Sequence, residues 1–167
     1  MLLWAPVVLL QAPSSVAQAL FDRPPTRVMI HNPQSTEGLR NRTTISVVVP
    51  QDAGHSLGAI VLRQLPNLDR WDWGRLEPRV YFGDYSLSGK GALGLATAFV
   101  SGSEEDLSIQ FNPVIEPGQT VNVVFRGFNP QSSIYQWSTE LLADGEDPVR
   151  YLGPTLRLNV YQQDPYR

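Results

Sequence analysis

Thr120-Val121-Asn122-Val123-Val124-Phe125-Arg126 is the stretch whose reading decides the fold. Val121, Val123 and Phe125 fall on one side of an extended chain, and Thr120, Asn122, Val124 and Arg126 on the other, as a half-buried antiparallel strand requires. Leu107, Ile109 and Phe111 repeat that period of two, and so do Leu156, Leu158 and Val160. Between the first two stripes, Glu116-Pro117-Gly118-Gln119 places Pro and Gly at the centre of a turn, suited to type II. Further apolar blocks give candidate strands at Arg27–His31, Thr43–Val49, Gly58–Gln64, Arg79–Gly83, Thr97–Val100, Leu107–Phe111, Thr120–Phe128, Tyr135–Ala143 and Thr155–Tyr161. No segment shows a sustained period of 3.6, and Gly91 and Gly94 limit Leu93–Ala98 to a helical turn at most. Two sheets packed face to face, in an immunoglobulin-like antiparallel β-sandwich of about eight or nine strands, would bury these stripes best.

The N-terminus reads differently. Leu2, Leu3, Trp4, Ala5, Val7, Val8, Leu9 and Leu10 form an apolar run followed by Ala17-Gln18-Ala19, a small-x-small cleavage signal. The run is shorter than the roughly 20 apolar residues of a membrane span, and Pro6 and Pro13 interrupt it. Residues 1–19 are therefore expected to be a secretory signal peptide without a transmembrane anchor, and residues 20–167 one β-sandwich domain. Position 1 supplies only its terminal amine where a leader usually has Lys or Arg.

Composition narrows the function classes. The chain has no cysteine, which removes disulfides, thiol catalysis, iron–sulfur ligation and thiolate zinc. The formal charge is −3, Lys90 is the only lysine, and Arg23, Arg27, Arg40, Arg42 and Arg63 look scattered among polar neighbours. No concentrated basic face for nucleic acid is visible.

Catalytic constellations are weak. His31 and His55 alone offer imidazole, His31 precedes the Asn32-Pro33 turn, and both read as surface loop residues. Ser86-Leu87-Ser88-Gly89 lacks the first glycine of a nucleophile elbow. Glu104-Glu105-Asp106 are adjacent, so they do not face one another across a sugar; they read as a solvated hairpin tip. A calcium site joining them to Asp144, Glu146 or Asp147 lacks EF-hand spacing. Copper would need clustered His or Met, and Met29 and His31 are the sole close pair. Asn41-Arg42-Thr43 matches the glycosylation sequon and is given no functional weight.

Aromatics offer the sharpest alternative. Trp71 and Trp73 are two apart, so on an extended strand they project from one face, with Asp69 and Asp72 beside them. Exposed, the indoles would make a stacking platform for sugars, with the carboxylates bonding hydroxyls. Turned inward, they would anchor the core. Tyr135 and Trp137 pose the same question.

The C-terminal half carries a distinctive series: Phe111-Asn112-Pro113-Val114, Pro117-Gly118-Gln119-Thr120-Val121, Phe125-Arg126, Asn129-Pro130, Tyr135, Gly145, Pro148, Tyr151-Leu152-Gly153, Leu156-Arg157-Leu158 and Tyr161. Together with Ala53-Gly54, Leu57, Gln64, Trp71 and Trp73, this resembles the DUF2808 family of exported cyanobacterial proteins with no assigned activity, over about Thr43 to Tyr161. His55 and the Ser133-Ile134 pair ahead of Tyr135 depart from the family pattern at loop positions. The resemblance implies a secreted or envelope-associated β-domain and transfers no catalytic residues.

The expected protein is thus an exported, non-enzymatic β-sandwich without cofactor or bound metal. It would act in the periplasm or outside the cell on a protein or envelope polysaccharide partner, with free sheet edges as docking sites. The alternatives are a carbohydrate-binding module using Trp71 and Trp73, and a carrier of divalent metal.

Overall fold

In a computed structural model of the chain, residues 18–75, 77–100 and 106–164 are described. They form twelve strands: β1 Arg27–His31, β2 Arg40–Asn41, β3 Thr44–Val48, β4 Leu57–Gln64, β5 Arg79–Phe82, β6 Ala96–Val100, β7 Asp106–Ile115, β8 Thr120–Val124, β9 Gly127–Phe128, β10 Ser133–Ala143, β11 Arg150–Leu152 and β12 Leu156–Val160. One sheet has the order β1-β3-β8-β5, and the other β11-β10-β4-β7-β6, with β12 also on β10. Every named strand pair is antiparallel. The first order matches the A-B-E-D sheet of immunoglobulin domains, and the second is their G-F-C sheet extended by the β6–β7 hairpin.

Alternation places the core as expected. Ile45, Val47, Val121 and Val123 face Ile60, Leu62, Ile109 and Leu141 across the sandwich, all fully buried. The Pro117-Gly118 turn closes with Gln119 N–H donating to the Glu116 carbonyl, and Gly118 has the positive φ of 84° that type II needs. With no disulfide available, the space between the sheets is filled by rings. Trp137 meets Trp71 edge-on at 5.4 Å, and Trp73 meets Phe125 at 5.1 Å. Such contacts add to the area the rings bury. Tyr135, also fully buried, donates its hydroxyl to the Gln131 carbonyl at 2.7 Å, the tyrosine-corner geometry of this class of sandwich. Burial, helped by Asp69 and Glu37, pushes that hydroxyl's pKa up to about 12.

Two sequence expectations change. The alternation leaves one face of Thr120–Phe128 to solvent, yet Asn122 and Val124 are buried. Residues 83–92 fold back over that outer face: Gly83 accepts from the Asn122 amide at 2.7 Å, and Ala92 bridges Val80. Ser46 completes the satisfaction of Asn122 by donating to its Oδ1 at 2.6 Å. The second change is that Thr120–Phe128 is two strands. Gly127 lies so close to the segment after Trp71 that a Cβ there would sit 2.1 Å from the Asp72 carbonyl oxygen, a contact only glycine permits.

One buried polar chain ties the rings to the end of the first sheet. Trp71 Nε1 donates to Thr43 Oγ1, and Thr43 donates to Asn41 Oδ1 at 3.0 Å. Asn41 in turn donates to Asn129 Oδ1 at 2.8 Å, which also accepts from Asn32. Asn129 Nδ2 donates to the carbonyls of Gln34 at 2.6 Å and Thr36 at 2.7 Å. Asn129 therefore uses all its hydrogen-bonding capacity in the interior. Asn41 sits there too, which closes its sequon to glycosylation in the folded chain. Asn129→Ala should lower unfolding free energy by roughly 2–4 kcal/mol, since it strands several buried partners, whereas Tyr135→Phe should remove about 1 kcal/mol. Denaturant midpoints at constant slope would measure both, and equal losses would refute the ranking.

Candidate surface sites

Trp71 and Trp73 are 5% and 8% exposed, so the sugar platform offered from their spacing does not exist as a surface. Residues 71–74 are not a strand but part of the crossover from β4 to β5. That crossover passes between the sheets because buried Gln64 holds it at both ends of its amide: its Nε2 donates to the Asp69 carbonyl and its Oε1 accepts from Trp71 N–H. Asp69 and Asp72 serve as latches. Asp69 accepts from Arg70 and Gln131 main-chain N–H groups, and Asp72 from those of Gly74 and Phe128. Both carboxylates are thus engaged in fixing loops.

The other candidates separate in space. Asp106 is held by Arg63 at 2.8 Å, Asp144, Glu146 and Asp147 lie on an exposed loop, and Glu104 and Glu105 fall outside the described residues. Among the described residues no three His, Cys, Asp or Glu side chains converge as metal ligands would. Ala17 also lies outside the described residues. Ala19 is buried, receives a hydrogen bond from Val149 N–H and donates to the Asp147 carbonyl, so the fold extends to the last residue of the expected leader.

His31, expected at the surface, ends β1 where the candidate strand Arg27–His31 placed it, and lies under the lid formed by residues 83–92. Its ring stacks on Tyr85 with centroids 3.7 Å apart and planes 9° from parallel. Its Nε2 is buried without a hydrogen-bond partner, and burial lowers its pKa below 6.5. Tyr81 seats the same lid, its hydroxyl accepting from Ser86 N–H at 3.0 Å. Arg42 Nη1 donates to the Leu87 carbonyl, while Arg42 Nη2 is buried without a partner. Burial, then Tyr81, raises the Tyr85 hydroxyl, and Arg42 opposes them.

Arginines that look scattered in sequence converge here. The β2–β9 pairing, Arg40 with Phe128 and Asn41 with Gly127, continues the β3–β8 register without a shift. Arg42 is consequently directly opposite Arg126. With Asn41 and Gly127 turned inward, Arg40, Arg42, Arg126 and Phe128 share the outer face. They line a groove of about 480 Å³ with Pro33 and Gln34, and Arg40 lies 5.5 Å over the Phe128 ring. A second groove, of about 380 Å³, continues from Arg126 to Arg79, with Glu77 at its margin. Sequence reasoning missed this face because Arg126 lies far along the chain from Arg40 and Arg42. The Arg-x-Arg alternation was its only local signal.

The far sheet presents another feature. β6 ends its sheet, and no described strand pairs with its outer edge. Phe99 and Val100 on it are 54% and 50% exposed.

The two antiparallel layers, their strand order and the tyrosine corner define an all-β sandwich of the immunoglobulin-like class. By sequence, the chain belongs to the DUF2808 family, described as proteins of unknown function, whose model matches residues 18–160. That match reaches further upstream than the motifs beginning near Thr43. No curated protein matches the chain. Similar solved structures include an immunoglobulin-like protein from Nocardia farcinica, 18% identical, over 80% of this chain and 96% of that one, with a TM-score of 0.48. The major pilin SpaD of Corynebacterium diphtheriae is 11% identical over 80% of this chain, which spans 35% of the pilin, with a TM-score of 0.49. A type I cohesin of Pseudobacteroides cellulosolvens is 16% identical over 84% of this chain and 94% of the cohesin, with a TM-score of 0.42.

The stacked imidazole leads to a pH prediction. Below about pH 6.5 the unfolded chain takes up a proton that folded His31 resists, so its contribution to stability is present above that pH and lost as pH falls. Melting temperature should therefore drop between about pH 7.5 and 5.5, and His31→Phe, which keeps a ring on Tyr85, should flatten the drop. An unchanged pH profile in that variant would contradict the assignment. Asp52, lowered chiefly by its hydrogen bond to Arg23, acts only at more acid pH.

Proposed function

We propose that the protein is an exported, non-enzymatic envelope module that works by binding a protein partner, with the outer edge of β6 as the docking strand. The observation behind this reading is the edge itself. Ala96-Thr97-Ala98-Phe99-Val100 contains no charge and no proline, and its last two residues, Phe99 and Val100, are half exposed. Soluble sheets ordinarily protect such an edge with Lys, Pro or a bulge, because its unpaired main-chain groups accept another strand. An extended partner segment adding there would gain ladder hydrogen bonds, with Phe99 giving side-chain selectivity.

The leader-like N-terminus supports export, and no helix among the described residues is long and apolar enough to cross a membrane. Residues 18–19 stay with the domain in this reading, because Ala19 is hydrogen-bonded into it. The intact mass of the exported product should place its first residue at Gln18. An unprocessed product confined to the cytosol would overturn the export reading.

Chemically, His31 is committed to a ring stack, and Asp69, Asp72 and Asp106 to hydrogen bonds or an ion pair. None of them is left in place to act as a general base on a bound substrate. Purified protein should give no turnover with general hydrolase and redox substrates. Robust turnover lost on changing His31 or His55 would reject the non-enzymatic reading.

Docking is tested by capture from the envelope fraction. Thr97→Lys with Phe99→Lys should abolish capture while the melting temperature stays close to that of the parent, and the amides of residues 96–100 should gain exchange protection in the complex. Capture that survives both substitutions would sink the edge assignment.

A further inference from the structure

We propose that the arginine face of the β2–β9 ladder is a binding site for an acidic polysaccharide. Its guanidinium groups would take the carboxylate or sulfate groups of the polymer, and the half-exposed Phe128 ring would lie against a sugar face. The site concerns a different sheet and a different ligand class from the β6 edge, so each proposal stands or falls separately.

Three observations carry it. First, Arg42 and Arg126 lie between two ladders of common register, which sets them opposite each other, and like charges so placed repel unless something negative lies between them. No described carboxylate forms an ion pair with Arg40, Arg42 or Arg126, although Arg23, Arg63 and Arg150 each have one. In a chain of net charge −3, three arginines are gathered on one face of a short ladder, with Glu77 the carboxylate that shares a groove with Arg126. Second, Arg42 is half engaged: one terminal nitrogen donates to the Leu87 carbonyl and the other is buried with no acceptor. The Leu87 contact holds the guanidinium in place beside the groove that Arg42 lines. Third, the frame is rigid. Asn41 and Gly127, the inward-facing residues of the same ladder, are fixed by the Asn129 network and by the tight contact with Asp72. The arginines are therefore held close to binding geometry beforehand, which reduces the ordering cost of association.

The chemistry of the face selects the ligand class. All the cations are arginines, whose planar fork fits carboxylate and sulfate by paired hydrogen bonds. Phe128 is 49% exposed and already carries Arg40 on its ring, so the surface alternates charge with a flat apolar patch. Pyranose rings bearing acidic groups present the matching alternation, and Gln34 on the groove wall has an amide suited to hydroxyls. An acidic peptide is less well served. On the face of a sheet there are no unpaired main-chain groups for an extended peptide to join. Duplex nucleic acid needs a longer basic track than this one, which meets Glu77 beyond Arg126.

The test titrates the full chain, at about 50 mM ionic strength so that screening is weak, with oligogalacturonate, dextran sulfate, neutral dextran, polyglutamate and inorganic sulfate. Saturable binding is expected for oligogalacturonate, dextran sulfate or both, and the comparison of those two assigns the acidic group as carboxylate or sulfate. Arg42→Gln with Arg126→Gln should weaken it about tenfold or more, and the corresponding Lys pair should lose part of the affinity by losing the paired hydrogen bonds. Arg157→Gln, which removes one charge on β12 where the double variant removes two, should alter it by less than about twofold. Melting temperature of the Arg42→Gln, Arg126→Gln variant should stay close to that of the parent, because loss of the Arg42–Leu87 contact is offset by removal of the like-charge opposition, which separates lost binding from lost folding. Thr97→Lys with Phe99→Lys should leave polysaccharide binding intact. The proposal is overturned by equal binding of neutral dextran, by tighter binding of polyglutamate, by inorganic sulfate alone binding, or by Arg157→Gln matching the double variant.

Discussion

The hydrogen-bonded chain from Trp71 through Thr43 and Asn41 to Asn129 is the constraint on which the rest of this molecule depends. A cysteine-free sandwich has to hold its sheets together by packing alone, and the wide aromatic side chains that fill this one bring polar atoms into the interior. Trp71 finds its acceptor in Thr43, and the chain of partners beyond it ends on two main-chain carbonyls, those of Gln34 and Thr36. Because every member is satisfied, the network can be buried without a large penalty, and it fixes one arrangement of the loops at that end of the sandwich.

The outer surface inherits that rigidity. Asn41 and Gly127 point inward in a ladder whose opposite face carries Arg40, Arg42, Arg126 and Phe128. Holding the inner side therefore holds the cations. A flexible surface would let Arg42 and Arg126 swing apart and dissipate their repulsion, but here the register keeps them opposed. The lid of residues 83–92 adds a second restraint by engaging Arg42 through the Leu87 carbonyl and His31 through the Tyr85 ring. Interior packing, lid and charged groove are parts of one mechanical unit, which is why a change at His31 should be felt as stability.

Alternation along Thr120–Arg126, Leu107–Phe111 and Leu156–Val160 was enough to read the layers, because a period of two has one structural meaning when both layers are antiparallel. The same argument left Asn122 facing water, since nothing local announces that the distant loop of residues 83–92 will cover it. The short strands β2 and β11 also escaped, being two or three residues long and held by partners distant in sequence, and β9 was read as the end of Thr120–Phe128. Trp71 and Trp73 were legible as a pair but not as buried, because spacing tells which residues share a side and not which side is wet. Their orientation follows from Gln64, whose amide turns the crossover inward.

By itself, the sequence determined an all-β chain, its main strands and central turn, the family to which it belongs, and a core that relies on apolar and aromatic burial in place of disulfides. These are local or compositional properties, written in the period of the side chains and in which residue types are present. Only the tertiary structure decided which face of each layer is covered, that His31 is stacked and half enclosed, and that Arg40, Arg42 and Arg126 form one charged surface. Those outcomes depend on strand register and on loops crossing between sheets, and register brings together residues that no local pattern connects.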